Sequence, residues 1–161
     1  MKDIHNILTS NSNEWTTKDW LFKSLDSEFH FTLDPCSTHE NAKCTKHYTI
    51  EDDGLSKDWS GEIVFMNPPY GREIGKWIRK AYEEASNGAV ICALISCRPD
   101  TAYWHDYIFP HASQIRFFRG RVGYGETDFS PFPSCVVIFG KEYEDRIVYN
   151  YQSKLREYET S

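Results

Sequence analysis

Short apolar runs, cut by prolines and glycines, divide this chain into alternating strands and amphipathic helices. A first helix is expected from an N-cap at Thr16 or Thr17 to about Leu25, with Trp20, Leu21 and Leu25 at helical spacing. Phe29, Phe31 and Leu33 alternate, which predicts a short strand ending at Asp34-Pro35. Residues 36–60 are polar and irregular. Ile63 to Met66 is continuously apolar, as a strand covered on both faces should be. It stops at Asn67-Pro68-Pro69-Tyr70-Gly71, because two prolines cannot continue a central strand. Ile74, Trp77, Ile78, Ala81, Tyr82 and Ala85 share one helical face, so a helix is expected from Ile74 to about Ser86, ended by Asn87-Gly88. A second covered strand runs from Ala89 to Ser96 and breaks at Arg98-Pro99. An aromatic-rich helix from Thr101 to about Phe109 and a strand at Ile115–Phe118 follow. A glycine-rich turn at residues 119–125 precedes a strand from Ser134 to Phe139, and Ile147–Tyr151 is a last strand or the start of a terminal helix.

This order is that of an α/β protein with a mainly parallel central sheet. In such sheets ligands bind beyond the carboxyl ends of the strands. Asp34-Pro35 and Asn67-Pro68 both leave strands at such ends, so the two exits are expected side by side on one rim.

With 161 residues, a single domain spanning 1–161 is expected. Hydrophobic residues at 40% and charged residues at 26% exclude a disordered or fibrous chain. The net charge of −6 excludes a strongly basic coat for nucleic acid, though not a local basic stripe. Aromatic residues reach 16%, enough for some rings to face a ligand. The odd count of five cysteines argues against a closed disulfide framework, and Cys92, Cys97 and Cys135 lie in or beside apolar runs as small core residues do. No signal peptide or membrane span is visible, and a cytoplasmic location is expected. Cys36, His39, Cys44 and His47 stand at knuckle-like intervals, but their order departs from the usual zinc patterns and no metal is expected.

The chemistry centres on Asn67-Pro68-Pro69-Tyr70. Two prolines hold φ near −65° and remove two amide donors. The Asn67 side-chain oxygen and the Pro68 carbonyl are then available to one external donor. A planar NH2 group has two hydrogens to match them. Holding both draws the nitrogen toward tetrahedral geometry and frees its lone pair to attack an electrophile. Tyr70 offers a flat face on which a base can stack.

Four stretches together resemble the small phage and prophage DNA N6-adenine methyltransferases, which use S-adenosylmethionine. They are residues 15–22 (Trp15 to Phe22), 31–37 (Phe31 to Ser37), 63–72 (Ile63 to Arg72), and Arg119-Gly120-Arg121 with 132–137. The resemblance covers about residues 13–140. It implies a Rossmann-like sheet, trimmed here because the interval from Asp34 to Asn67 is too short for two further strands with helices. It implies transfer of a methyl from S-adenosylmethionine to N6 of a flipped adenine in DNA, directly and in line. Asn67, Pro68, Pro69 and Tyr70 are then the catalytic residues. Trp15, Thr16, Asp34, Pro35, Asp53 and Asn67 are the expected cofactor contacts, and Arg72, Arg98, Arg119 and Arg121 the expected contacts to nucleic acid. No separate target-recognition domain is expected, which implies a short recognition site or single-stranded DNA.

Other readings of the same residues stay open. Asp34 suits a methionine ammonium or a ribose hydroxyl, but also the capping of its own loop. Trp15 suits the pocket or the core. Asp52 and Asp53 suit a nucleoside or a plain Asp-Gly turn, and each arginine taken alone suits a solvated surface. Two departures stand out: the segment after Asp34 has no glycine, and the motif begins with Asn, as also in protein-glutamine and RNA methyltransferases. The same turn would serve cytosine N4, an RNA adenine or a glutamine amide. A binding protein that has lost its cofactor is a further alternative.

Overall fold

A computed structural model describes residues 16–127 and 130–151. Helix α1 spans Asp19–Phe29. A single 3-10 turn follows at Gly54–Ser56. Strand β1 is Ile63–Met66, helix α2 is Ile74–Ser86, and β2 is Val90–Ser96. A π-helical turn at Trp104–Ile108 runs into a short helix at Phe109–His111. Strands β3 (Gln114–Phe117), β4 (Ser134–Phe139) and β5 (Ile147–Val148) complete the regular structure among the described residues.

The five strands form one mixed sheet in the order β1-β2-β4-β3-β5. The pairs β1–β2 and β3–β5 are parallel, while β2–β4 and β3–β4 are antiparallel. The expectation of a mainly parallel sheet is therefore corrected. β4 inserts between β2 and β3 and runs against both, so half of the pairings are antiparallel. The carboxyl ends of β1, β2 and β3 and the amino end of β4 consequently meet on one rim.

Alternation along each strand divides the core into two layers. Val64, Met66, Ile91, Ala93, Ile95, Val137 and Phe139 face α2, with Trp77, Ile78 and Ala81 packed on them. Phe65, Cys92, Leu94, Val136 and Ile138 face α1, with Leu21, Leu25 and Phe29. Every residue of β4 is buried, as a strand with neighbours on both edges and layers on both faces should be.

Two local expectations change. The expected strand at 29–33 shrinks to isolated bridges, Leu33 to Val64 and Asp34 to His47. α1 continues through Phe29 and ends at His30, whose φ of 56° turns the chain; Asp26 accepts the next N–H, that of Phe31, at 2.9 Å. Phe29 and Phe31 then stack at 5.3 Å instead of alternating along a strand. At the start of α1, Lys18 holds the cap position without a side-chain cap bond, and the hydroxyl of Thr17 turns elsewhere. No helix among the described residues is long and apolar enough to cross a membrane.

Candidate active site

The site begins where β1 ends. Pro68 is buried and Pro69 and Gly71 are exposed, so the turn leaves the core at once. Gly71 takes φ 99°, a conformation that glycine adopts without strain, and leads into α2.

Two side chains grip the Asn67 amide. Nδ2 donates to Thr17 Oγ1 at 3.1 Å, and Oδ1 accepts from the Tyr70 hydroxyl at 3.1 Å. The Tyr70 oxygen also lies 3.2 Å from that of Tyr124, and the Tyr124 oxygen lies 2.8 Å from Ser134 Oγ. A chain of polar groups thus joins the segment before α1, the Asn-Pro-Pro-Tyr turn, the loop after β3 and the first residue of β4. Three rings gather around it. Tyr70 lies 4.9 Å from Phe132 and 6.4 Å from Tyr124, centre to centre. Burial pushes the Tyr70 phenol well above its ordinary value and raises that of Tyr124. Both hydroxyls therefore act as neutral hydrogen-bonding groups.

Asp34-Pro35 follows isolated bridges and not a strand, but it lies beside the end of β1, as expected. The Cys36 thiol donates to the main-chain carbonyl of Asn67 at 3.5 Å. Burial pushes this thiol well up, so it stays protonated. Asp34 is 4% exposed. Its Oδ2 accepts the Lys43 N–H at 3.0 Å and its Oδ1 that of Cys36 at 3.4 Å, which ties down the glycine-free loop from both ends. Each carboxylate oxygen has lone-pair capacity beyond these bonds. Burial raises the Asp34 pKa, against the lowering effect of its N–H donors.

The Asp53-Gly54 turn packs on Pro35. Asp53 is exposed with φ 54°, and Asp52 Oδ2 accepts the Thr49 N–H at 2.9 Å. A Cβ on Gly54 would lie 2.1 Å from the Pro35 carbonyl oxygen, so only glycine allows this approach. An open cleft of about 420 Å³ is lined by Thr16, Thr17, Asp19, Trp20, Lys43 and Gly125. Its rim carries an ion pair, Lys43 Nζ to Asp19 Oδ1 at 3.0 Å. The main-chain carbonyl of Thr16 accepts the Gly125 N–H at 2.7 Å, which closes one wall.

The structure thus brings together Thr16, Asp34, Pro35, Asn67, Pro68 and Tyr70, with Asp53 one residue beyond the contact at Gly54. Trp15 lies outside the described residues. Arg72, Arg98, Arg119 and Arg121 are all exposed, and Arg98 and Arg119 each lie two residues beyond the rim ends of β2 and β3. Cys36, His39, Cys44 and His47 do not converge. His39 Nδ1 meets His47 Nε2 at 2.9 Å while Cys36 faces Asn67, and no group of three metal-binding side chains forms among the described residues. Thr17 and Ser134, which lie within resembling stretches, and Lys43 and Tyr124, which do not, belong to the neighbourhood of the site without having been expected there. Tyr124 is 54 positions from Tyr70, and only the sheet brings them together.

A family model described as DNA N-6-adenine-methyltransferase (Dam) matches residues 5–156. A DNA N-6-adenine-methyltransferase of Haemophilus phage HP1 is 28% identical over 144 residues, covering 83% of this chain and 82% of that protein. A DNA N-6-adenine-methyltransferase of Escherichia phage T1 is 28% identical over 92 residues, 56% of this chain and 38% of its own length. A match across nearly the whole chain, with the Asn-Pro-Pro-Tyr turn at its strand end, means that this chain belongs to the DNA N-6-adenine-methyltransferase (Dam) family.

Proposed function

We propose that this adenine-specific DNA methyltransferase acts as a single Rossmann-like domain in the cytoplasm and uses S-adenosylmethionine. One observation carries the reading: the Asn67 amide is held at a strand end between Thr17 and Tyr70, beside three aromatic rings and a cleft. The cleft suits the methyl donor in chemistry. Its volume falls within the usual range for small-molecule sites, roughly 300–1,000 Å³. Asp19 and Lys43 offer one charge of each sign to an α-amino acid. Thr16, Asp34, Pro35, Asp53 and Asn67, with Trp15, are the proposed contacts to the rest of the donor.

When bound, S-adenosylmethionine supplies the methyl as a sulfonium electrophile. Asn67 Oδ1 and the Pro68 carbonyl accept the two hydrogens of the target amine and aim its lone pair. Tyr70 stacks on the extruded adenine, with Tyr124 and Phe132 behind it. Extrusion from a duplex costs a few kcal/mol, which favours single-stranded or locally opened DNA. Positioning and polar stabilisation supply the rate, without a covalent enzyme intermediate. Arg72, Arg98, Arg119 and Arg121 meet the phosphates.

The test is calorimetric titration with S-adenosylmethionine, followed by nucleoside mass spectrometry of DNA incubated with enzyme and donor. Micromolar binding, weakened in Asp34→Ala, and N6-methyladenine made by the wild type but not by Asn67→Ala are expected. No heat from folded protein, or equal methylation by Asn67→Ala, overturns the reading.

A further inference from the structure

We propose that a second groove, continuous with the Asn-Pro-Pro-Tyr turn, binds the single DNA strand that flanks the target adenine. The inference rests on the active-site reading given above and adds a nucleic-acid subsite to it. The groove has a volume of about 430 Å³ and is lined by residues between 71 and 79, at the start of α2, and between 101 and 107, after β2. Gly71 and Arg72, which follow Tyr70 directly, belong to the lining, so a strand leaving the catalytic turn meets the groove at once.

A single nucleic-acid strand is held by cations for its backbone and flat apolar faces for its bases. Both are present. Lys76 and Arg79 are exposed members of the lining, three positions apart and therefore on one helical face. Lys76 Nζ lies 3.3 Å from Glu73 and Arg79 Nε 2.9 Å from Glu83. Exposed pairs of this kind contribute little, so a phosphate replaces either carboxylate at small cost. The other lining segment supplies the rings of Tyr103 and Tyr107, both partly exposed. Tyr107 is backed by Tyr82 at 5.8 Å, and Tyr82 is stacked on His111 at 4.2 Å. Asp106 stands beside the tyrosines in the same segment. It repels phosphate there and leaves the backbone to the cations of α2, with the bases on the tyrosines.

Gly75 is the second observation. It lies in the first turn of α2, where glycine costs chain entropy. Folding does not require it: an added Cβ would meet Tyr103 no closer than 3.8 Å, and the residue's φ is not positive. Gly75 lines the groove, so any longer side chain there would fill it. The absent side chain keeps the face of Tyr103 open to a ligand.

The experiment is fluorescence anisotropy of a labelled single-stranded oligonucleotide containing one adenine, without methyl donor, from low to moderate salt. It compares wild type, Lys76→Gln, Arg79→Gln, Gly75→Met, Tyr107→Leu and Lys23→Gln. Lys23 is an exposed lysine of α1, which packs on the other face of the sheet, and controls for charge alone. Lys76→Gln and Arg79→Gln should each weaken binding about threefold to tenfold at low salt and flatten the dependence of log K on log salt by about 0.7. Gly75→Met and Tyr107→Leu should weaken it about tenfold, with the salt slope unchanged. Lys23→Gln should stay within about twofold of wild type, because salt screens a distant charge. In methylation of the same oligonucleotide, the groove variants should raise KM for DNA and leave KM for S-adenosylmethionine within about threefold. Melting curves accompany every variant, and Gly75→Met, which has room for its Cβ, keeps the test independent of any fold defect in Tyr107→Leu.

Unchanged binding in Lys76→Gln, Arg79→Gln and Gly75→Met overturns the proposal. So does a loss in Lys23→Gln equal to theirs, which makes the effect one of overall charge. A fall in kcat at unchanged KM for DNA makes the groove a support for the catalytic turn and overturns it as well. An inactive wild type removes the reading of Asn67 instead, and is told apart because the anisotropy is read without donor or turnover.

Discussion

At Asp34, burial and hydrogen bonding pull in opposite directions. Two main-chain N–H groups favour the ionised carboxylate, and loss of water opposes it. Burial wins, so the carboxyl sits above its ordinary value of 3.8. The folded protein then holds this proton to a higher pH than the unfolded chain does. The group's contribution to stability is fully present below the unfolded pKa and is lost as pH rises through the folded one. Wild type should therefore lose ground to Asp34→Asn as pH is raised from about 4 to about 7. Urea unfolding of both proteins across that range measures the difference, and a constant difference would remove Asp34 as its source. Tyr70 behaves otherwise. Its phenol is pushed above the working range, so it offers a neutral ring and a neutral hydroxyl at every pH of interest.

Among the elements, two glycines make opposite predictions. Gly54 lets the turn after Asp53 close on Pro35, where an added Cβ would meet the carbonyl oxygen at 2.1 Å and Trp77 at 3.1 Å. Gly54→Ala should destabilise the protein by about 1–3 kcal/mol, as overpacking typically does. Gly75 lies in the first turn of α2, and its added Cβ would meet Tyr103 no closer than 3.8 Å, an ordinary contact. Gly75→Ala should be stabilising by up to about 1 kcal/mol, through helix propensity. Thermal or urea unfolding reads both, and a drop for Gly75→Ala as large as that for Gly54→Ala would contradict the distinction. The inner face of α2 is anchored as well. Buried Glu84 accepts the Trp59 N–H at 2.8 Å and pairs with Lys80 at 2.7 Å, which fixes the helix against the segment leading to β1. That anchoring holds the Asn-Pro-Pro-Tyr turn between two rigid elements.

For the whole molecule, the question is how a chain of net charge −6 holds a polyanion. The proposed contacts are the exposed arginines beyond β1, β2 and β3. Some of the opposite charge is engaged elsewhere in the fold. Glu28, for example, makes a bidentate pair with buried Arg116, which ties α1 to β3. Replacing Arg72, Arg98, Arg119 or Arg121 by Gln should weaken DNA binding at every sequence alike. For each arginine that meets a phosphate, the replacement should flatten the dependence of log K on log salt by about 0.9 for duplex and about 0.7 for single strands. Binding titrations between low and moderate salt test this; an unchanged slope in all four variants would place the DNA elsewhere.

The apolar runs and their prolines were enough to locate β1, β2, β4 and α2 and to mark Asn67 as a strand exit. Such signals are local: a covered strand must be apolar throughout, and Pro-Pro must end it. The adjacency of Asp34 and Asn67 was also expected, but it rests on isolated bridges beside β1 and not on a strand end. Strand direction did not follow. A run such as Cys135–Phe139 is buried on both faces whether its neighbours are parallel or antiparallel, so its own residues do not record that it runs backwards between β2 and β3. The fate of Phe29 was equally hidden, since the turn at His30 decides whether it ends a helix or starts a strand. Thr16 or Thr17 read as a helix cap, because their place before the Trp20-Leu21 pattern is a local signal and the bond of Thr17 to Asn67 is not. Ser134 read only as the start of a strand, and Tyr124 only as part of a glycine-rich turn. The sequence by itself determined the chemistry, an amide and an aromatic ring at a proline-terminated strand. The tertiary structure decided what holds that amide, because orientation depends on partners that only folding brings within about 3 Å of one another.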